Sequence, residues 1–399
     1  MTKKGLFRVS VKKMENTKKI KVITVFGTRP EAIKMAPLVK ELESREEIES
    51  IVAVTAQHRQ MLDQVLEIFN IKPDYDLNIM KNRQTLVDIT SNVLTGLYDI
   101  IAKEKPDIVL VHGDTTTTFA GALAAFYNQV AVGHIEAGLR TYDIYSPFPE
   151  EMNRKLTGQI SSLHFSPTVQ NKKNLLNEGV KEENIFITGN TVIDALKTTV
   201  KDNYVFNDDV LKGLDYNKKV IVVTAHRREN LGEPLQNICN ALKRLAVKFS
   251  DDVQIVYPVH LNPAVREVAF STLSDLENVH LIDPVDVCEL HNLMDRAYMV
   301  MTDSGGLQEE APSLGKPVLV LRHETERPEA VTAGTVKLAG VEEEDIYSMA
   351  KTLLTDKEAY DSMAKAVNPY GDGFASKRSV DAIIYHFNKN TDRPQDFKA

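Results

Sequence analysis

Three carboxylates stand where apolar runs end. Glu136 directly follows the run 130–135, and Asp114 follows 107–112 by way of Gly113. Glu150 closes the proline-framed stretch Pro147-Phe148-Pro149, where a helix opens. Several carboxylates in one cleft suit proton transfer, because crowding and burial raise some of their pKa values. Asp114 also has a plainer reading, as a helix cap. Mg²⁺ would need only one or two carboxylates plus phosphate, but these three show no metal-ligand spacing, so no metal is expected.

A second set of residues is basic and glycine-bearing. Gly27-Thr28-Arg29-Pro30-Glu31 follows the run 20–26. Glycine allows the tight turn, proline suits a first helical turn, and Arg29 could add a fork to an anion at the helix N-terminus. A capping turn with a solvated arginine is the alternative. No Gly-Lys-Ser/Thr follows, and the G-x-G-x-x-G fingerprint is absent. His226-Arg227-Arg228 follows the run 219–224, a concentration of cations that asks for a nearby anion. Asp303-Ser304-Gly305-Gly306 follows 298–302 and precedes a helix carrying Glu309 and Glu310. Exposed N–H groups there suit a phosphate, and a carboxylate one turn in can accept ribose hydroxyls. Polar residues also gather after Thr55 (Gln57, His58, Arg59, Gln60) and after Tyr257 (His260).

The elements that position these residues alternate. Strand-like runs at 20–26, 51–55, 107–112, 130–135 and 162–166 are separated by helical patterns at 31–44, 59–69, 85–103 and 116–127. A second series has strands at 219–224, 253–257, 279–282, 298–302 and 318–321, with helices between them and at 345–354 and 377–389. This βαβα order predicts parallel sheets covered by helices, with ligands at the carboxyl ends of strands. The polar stretch 197–218 places the junction between two doubly wound halves near 190–215.

The 399 residues hold 48 Lys and Arg against 56 Asp and Glu, a net charge of −8. That balance argues against a non-specific nucleic-acid binder. No run reaches the roughly 18 apolar residues of a bilayer span, so no membrane insertion is expected. With no signal-like leader and two cysteines, Cys239 and Cys288, read as reduced core residues, a reducing cytoplasm is the expected compartment. Residues 1–19 carry seven Lys or Arg and read as a basic, solvated extension. With Met14 as the start, the first thirteen would fall outside the natural protein.

Taken in order, GTRPEAIK, HGDT, HIEAGLRT, PFPEEMNR, HRREN, DSGGLQEE, ERPE and NPYGDG resemble the non-hydrolysing bacterial UDP-N-acetylglucosamine 2-epimerases, from about Lys18 to the last helix. The resemblance implies two Rossmann-like domains of the glycosyltransferase-B type with a cleft between them. The implied partition is 20–190, then 191–369, then 370–399 returning to the first domain. It implies interconversion of UDP-GlcNAc and UDP-ManNAc without a cofactor, by elimination of UDP to 2-acetamidoglucal and re-addition. By motif, Asp114, Glu136 and Glu150 match the acid/base carboxylates and His226 the cleft histidine at the diphosphate. Arg29 and Lys34 match sugar-nucleotide contacts, Ser304, Gly305 and Gly306 the phosphate turn, and Glu310 the ribose carboxylate. Gln57, Gln60, Arg83 and His260 match a regulatory UDP-GlcNAc site, and a homodimer is implied. Ala225 departs from the glycine common before that histidine, and His323-Glu324 departs near ERPE. A glycosyltransferase of the same fold, a hydrolysing epimerase and a nucleotide-sugar sensor are the alternatives.

Overall fold

The computed structural model describes residues 18–56, 59–81, 84–388 and 391–399, apart from the side chains of Gln60 and Met61. The basic extension up to residue 17 lies outside them. Among the described residues seven parallel strands form the first sheet: β1 (Ile20–Phe26), β2 (Ile48–Val54), β3 (Tyr75–Asp76), β4 (Ile108–His112), β5 (Ala131–Ile135), β6 (Leu163–Ser166) and β7 (Ile185–Ile187), in the order β3-β2-β1-β4-β5-β6-β7. The second has six: β8 (Lys219–Thr224), β9 (Val253–Pro258), β10 (Val279–Ile282), β11 (Met299–Thr302), β12 (Val318–Val320) and β13 (Val336–Leu338), ordered β10-β9-β8-β11-β12-β13. Every pairing is parallel, which explains why the central strands are apolar on both faces. Each sheet reverses direction once, between β1 and β4 and between β8 and β11, so each has a topological switch point.

β3, β7 and β13 escape the sequence reading because two or three residues carry no usable periodicity. The stretch read as a turn-rich junction holds more order than its polarity suggests. Asn190 caps a helix over Thr191–Thr199, and that helix buries Val192, Ile193, Ala195 and Leu196. The chain crosses between the sheets here and again near Tyr370, where the Asn190 N–H donates to the Tyr370 carbonyl at 2.6 Å.

Helix Arg29–Glu43 buries Met35, Leu38, Val39 and Leu42 beside β1 and β2. The same core holds Val380, Ala382, Ile383 and Ile384 from helix Ala375–Phe387, so the last helix lies against the first sheet's layer. The tail finishes beside β7, whose Ile187 carbonyl accepts the Phe397 N–H at 2.7 Å. Cys239 is buried and Cys288 half-buried, and both are free thiols. Among the described residues no helix is long and apolar enough to cross a membrane.

Candidate functional site

The carboxyl ends of β1, β4 and β5 build one wall of a cleft. Asp114, Glu136 and Glu150 line a single cavity of ≈ 260 Å³, together with Arg140 and Arg154 of the first half and Arg227, Glu326 and Arg327 of the second. Asp114 caps nothing: Thr115 is the N-cap of helix Thr116–Tyr127. Asp114 instead accepts from Arg154 Nη2 at 2.6 Å, and Arg154 also reaches Glu151 at 3.0 Å. Buried Glu151 accepts the Thr141 and Tyr142 N–H groups, each at 3.1 Å, so it fixes the loop over the cavity. Glu150 opens helix Glu150–Ile160. Its buried Oε2 has no hydrogen-bond partner among the described residues, an orphan acceptor of the kind that calls for a role.

Glu136 is the most constrained of the three. Its φ of +63° is left-handed, a conformation that costs a side-chain-bearing residue about 1–3 kcal/mol. Its buried carboxylate pairs with Lys34, accepts from Asn190 Nδ2 at 2.9 Å and lies 3.5 Å from His112 Nε2. Burial pushes its pKa up, but the Lys34 ammonium and His112 hold it well below the usual carboxylate range.

The first helix N-terminus forms a capping turn, the second of the two readings its sequence allows. The Glu31 carboxylate turns back to accept Gly27 N–H at 3.0 Å and Thr28 N–H at 2.8 Å, and Thr28 completes the capping box. An anion of the chain itself therefore fills that position. Arg29 is half-buried. Its Nη2 points to the Val285 carbonyl at 3.5 Å, and Asp286 and Glu310 are the charges that act on it.

The second wall comes from the ends of β8 and β11. Asp303 lies fully buried beneath the His226-Arg227-Arg228 cluster, while the Arg227 guanidinium reaches Glu326 at 3.4 Å. Asp303 accepts the N–H groups of His226 at 2.7 Å and Arg227 at 2.8 Å, and Asn230 Nδ2 at 3.1 Å. The exposed His226 ring stacks on His260 at 5.1 Å, and burial of part of it, then His260 and Arg227, lower its pKa against the pull of Asp303. His226 thus stands outside the lining of the carboxylate cavity. No side chain caps helix Leu307–Ser313 at Gly306. A Cβ at Gly305 would stand 2.6 Å from Arg327 Nη1, so only glycine lets that arginine approach. Glu310 is buried, 3.2 Å from His291 Nε2.

Of the residues matched to a regulatory site, Gln57 and Arg83 and the side chain of Gln60 lie outside the described residues. His260 is described, and it touches His226. Sequence reasoning gave no role to Arg154, Glu326, Arg327 or Asn190, and it named Arg227, Asp303 and Glu309 only as members of strand-end turns. The motifs PEEMNR, HRREN and ERPE contain most of them, but an arginine that closes a cavity looks no different in sequence from one in solvent.

The family model described as "UDP-N-acetylglucosamine 2-epimerase" matches residues 40–384. The chain is 62% identical over 380 residues to the UDP-N-acetylglucosamine 2-epimerase of Bacillus subtilis, covering 95% of this chain and 99% of that one. The crystal structure of UDP-GlcNAc 2-epimerase from Neisseria meningitidis bound to UDP-GlcNAc superposes with a TM-score of 0.84 at 53% identity, covering 91% of this chain and 99% of that one. That of Methanocaldococcus jannaschii, in complex with UDP-GlcNAc and UDP, does so at 0.75 and 35%, covering 92% and 99%. The two facing Rossmann-like layers are thus the glycosyltransferase-B arrangement, and the chain belongs to the UDP-N-acetylglucosamine 2-epimerase family of isomerases.

Proposed function

We propose that this protein interconverts UDP-GlcNAc and UDP-ManNAc by the non-hydrolysing route. The observation that carries the reading is the meeting of Asp114, Glu136 and Glu150 in one small cavity, closed from the other side by Arg227 and Arg327. The sugar C2–H has no adjacent carbonyl to delocalise a carbanion, so its removal must be coupled to departure of a leaving group. One carboxylate takes the C2 proton. The C2–H pair forms the C1=C2 bond, and the C1–O pair leaves on the β-phosphate oxygen of UDP. The products, 2-acetamidoglucal and UDP, stay in the closed cleft. A second carboxylate then protonates the opposite face of C2 as UDP adds back at C1. His226, Arg29 and Lys34 steady the sugar nucleotide, the Ser304-Gly305-Gly306 turn takes its phosphates and Glu310 its ribose. No metal or cofactor enters this scheme.

The reading extends to partition, regulation and setting. It divides the chain at 20–190, 191–369 and 370–399, and it has a second UDP-GlcNAc activate the enzyme through Gln57, Gln60, Arg83 and His260. It makes the protein a cytoplasmic homodimer that supplies ManNAc to surface polysaccharide. Incubation with UDP-GlcNAc in deuterated water, followed by NMR, tests the chemistry. UDP-ManNAc carrying deuterium at C2 is expected without added cofactor. Unlabelled product, free ManNAc in its place, or transfer of the sugar to an acceptor would each overturn the route.

A further inference from the structure

We propose that Asn190 is a positioning residue for Glu136, a single amide that ties the carboxylate wall of the first half to the Glu309–Arg327 pair of the second. The inference rests on the reading of Glu136 as an acid/base group. Asn190 is 2% exposed and sits at the point where the chain passes from one sheet to the other. Its Oδ1 accepts the Val192 N–H at 3.3 Å and caps the crossing helix. Its Nδ2 donates to Glu136 Oε2 at 2.9 Å and to Glu309 Oε2 at 2.6 Å. Two carboxylates face that nitrogen, so the amide has one sensible orientation: its oxygen turned there would meet two anions.

The arrangement is a short chain of charges, Lys34, Glu136, Glu309 and Arg327, with Asn190 in its middle. Lys34 and Glu136 come from the first half, while Glu309 and Arg327 come from the second, where Arg327 Nε donates to Glu309 at 2.6 Å. Rotation of one half against the other has to stretch or relax the two Asn190 bonds. The amide therefore relates the angle between the halves to the position of Glu136, whose left-handed backbone leaves it little freedom of its own. The groups that face Glu136 are Lys34, His112, Asn190 and, through the amide, Glu309, with the Arg327 guanidinium beyond. Loss of the amide removes a donor to the charged form, so Glu136 then ionises at higher pH.

Asn190→Ser separates this role from capping, since serine still caps the helix but is too short to reach both carboxylates. Asn190→Asp keeps shape and cap and replaces the donor with a third carboxylate. The readouts are the pH profile of kcat, KM, and deuterium incorporation at C2. For Asn190→Ser, kcat is expected to fall on the order of 10²-fold with KM near the parent value. The acidic limb should move up by about one to two pH units, and Asn190→Asp should be slower still. A fall in kcat with the acidic limb unmoved would make the residue merely structural and overturn the proposal. So would unchanged kcat, or loss of folding in both variants. Parent enzyme that places no deuterium at C2 would sink the acid/base reading itself. Parent exchange together with parent-like variants would sink only the role of Asn190.

Discussion

Each half of the molecule ends a switch-point strand in a glycine-bearing turn and opens a helix, and the two turns are finished in opposite ways. After β1, Glu31 swings back onto the Gly27 and Thr28 N–H groups, while Thr115 and Thr118 donate to its other oxygen at 2.6 and 3.2 Å. The anion is built in and buried. After β11, no side chain caps the helix at Gly306: Glu309 is drawn to Arg327 and Glu310 Oε2 to His291, while Glu310 Oε1 stays 2.9 Å from where a Gly306 Cβ would stand. The same topological position therefore holds a structural anion in one half and has no capping side chain in the other. The choice depends on where one carboxylate, three or four residues into the helix, is drawn.

The largest effects expected concern the first half. Asp114→Asn, Glu136→Gln and Glu150→Gln should each lower kcat by about 10²–10⁴-fold, with UDP affinity by calorimetry close to the parent's. Near-parent turnover in any one removes it from the proton-transfer set. The two glycines sharpen the contrast next. Gly305→Ala puts a Cβ 2.6 Å from Arg327 Nη1, and Arg327 is held by Glu309, so UDP should bind about tenfold more weakly, or ~1.4 kcal/mol. Gly27→Ala puts a Cβ 1.9 Å from Thr55 Oγ1 inside the first core. It should cost about 1–3 kcal/mol of stability, read as a lower Tm, and leave UDP binding alone. Equal loss of UDP affinity in both would erase the difference between the turns.

The smallest effect is a pH dependence at the second wall. Burial pushes Glu326 up, but two hydrogen bonds and the charge of Arg322 carry it from its ordinary 4.5 down to about 2. A depressed carboxyl pKa adds stability that is present above pH 4.5 and is lost as pH falls toward about 2. Acid-unfolding curves of the parent and Glu326→Gln should therefore converge across that window. A gap that stays constant with pH would mean that Arg322 does not hold this carboxylate.

The alternation of apolar runs was enough to read both parallel sheets, because buried parallel strands are apolar on both faces and need no partner to be recognised. It was not enough for β3, β7 or β13, whose pairing comes from neighbours already in place. The crossing helix Thr191–Thr199 was hidden among polar residues because its burial comes from helices distant in sequence. Asp114, Glu136 and Glu150 were legible as strand-end carboxylates, and the ordered motifs carried the family. Glu31 and Asp303 were the exceptions among the motif residues. Both stand at strand ends like ligand contacts, yet both neutralise the protein's own N–H groups.

Residue type and order alone determined that the chain would form two doubly wound α/β halves and where along it the reactive groups would lie. Tertiary structure decided which of those groups meet. Cavity walls, the Arg154 and Arg327 ion pairs and the Asn190 bridge join residues far apart in the chain. The distances across the cleft depend on how the two sheets face each other, and that angle is written in no local pattern.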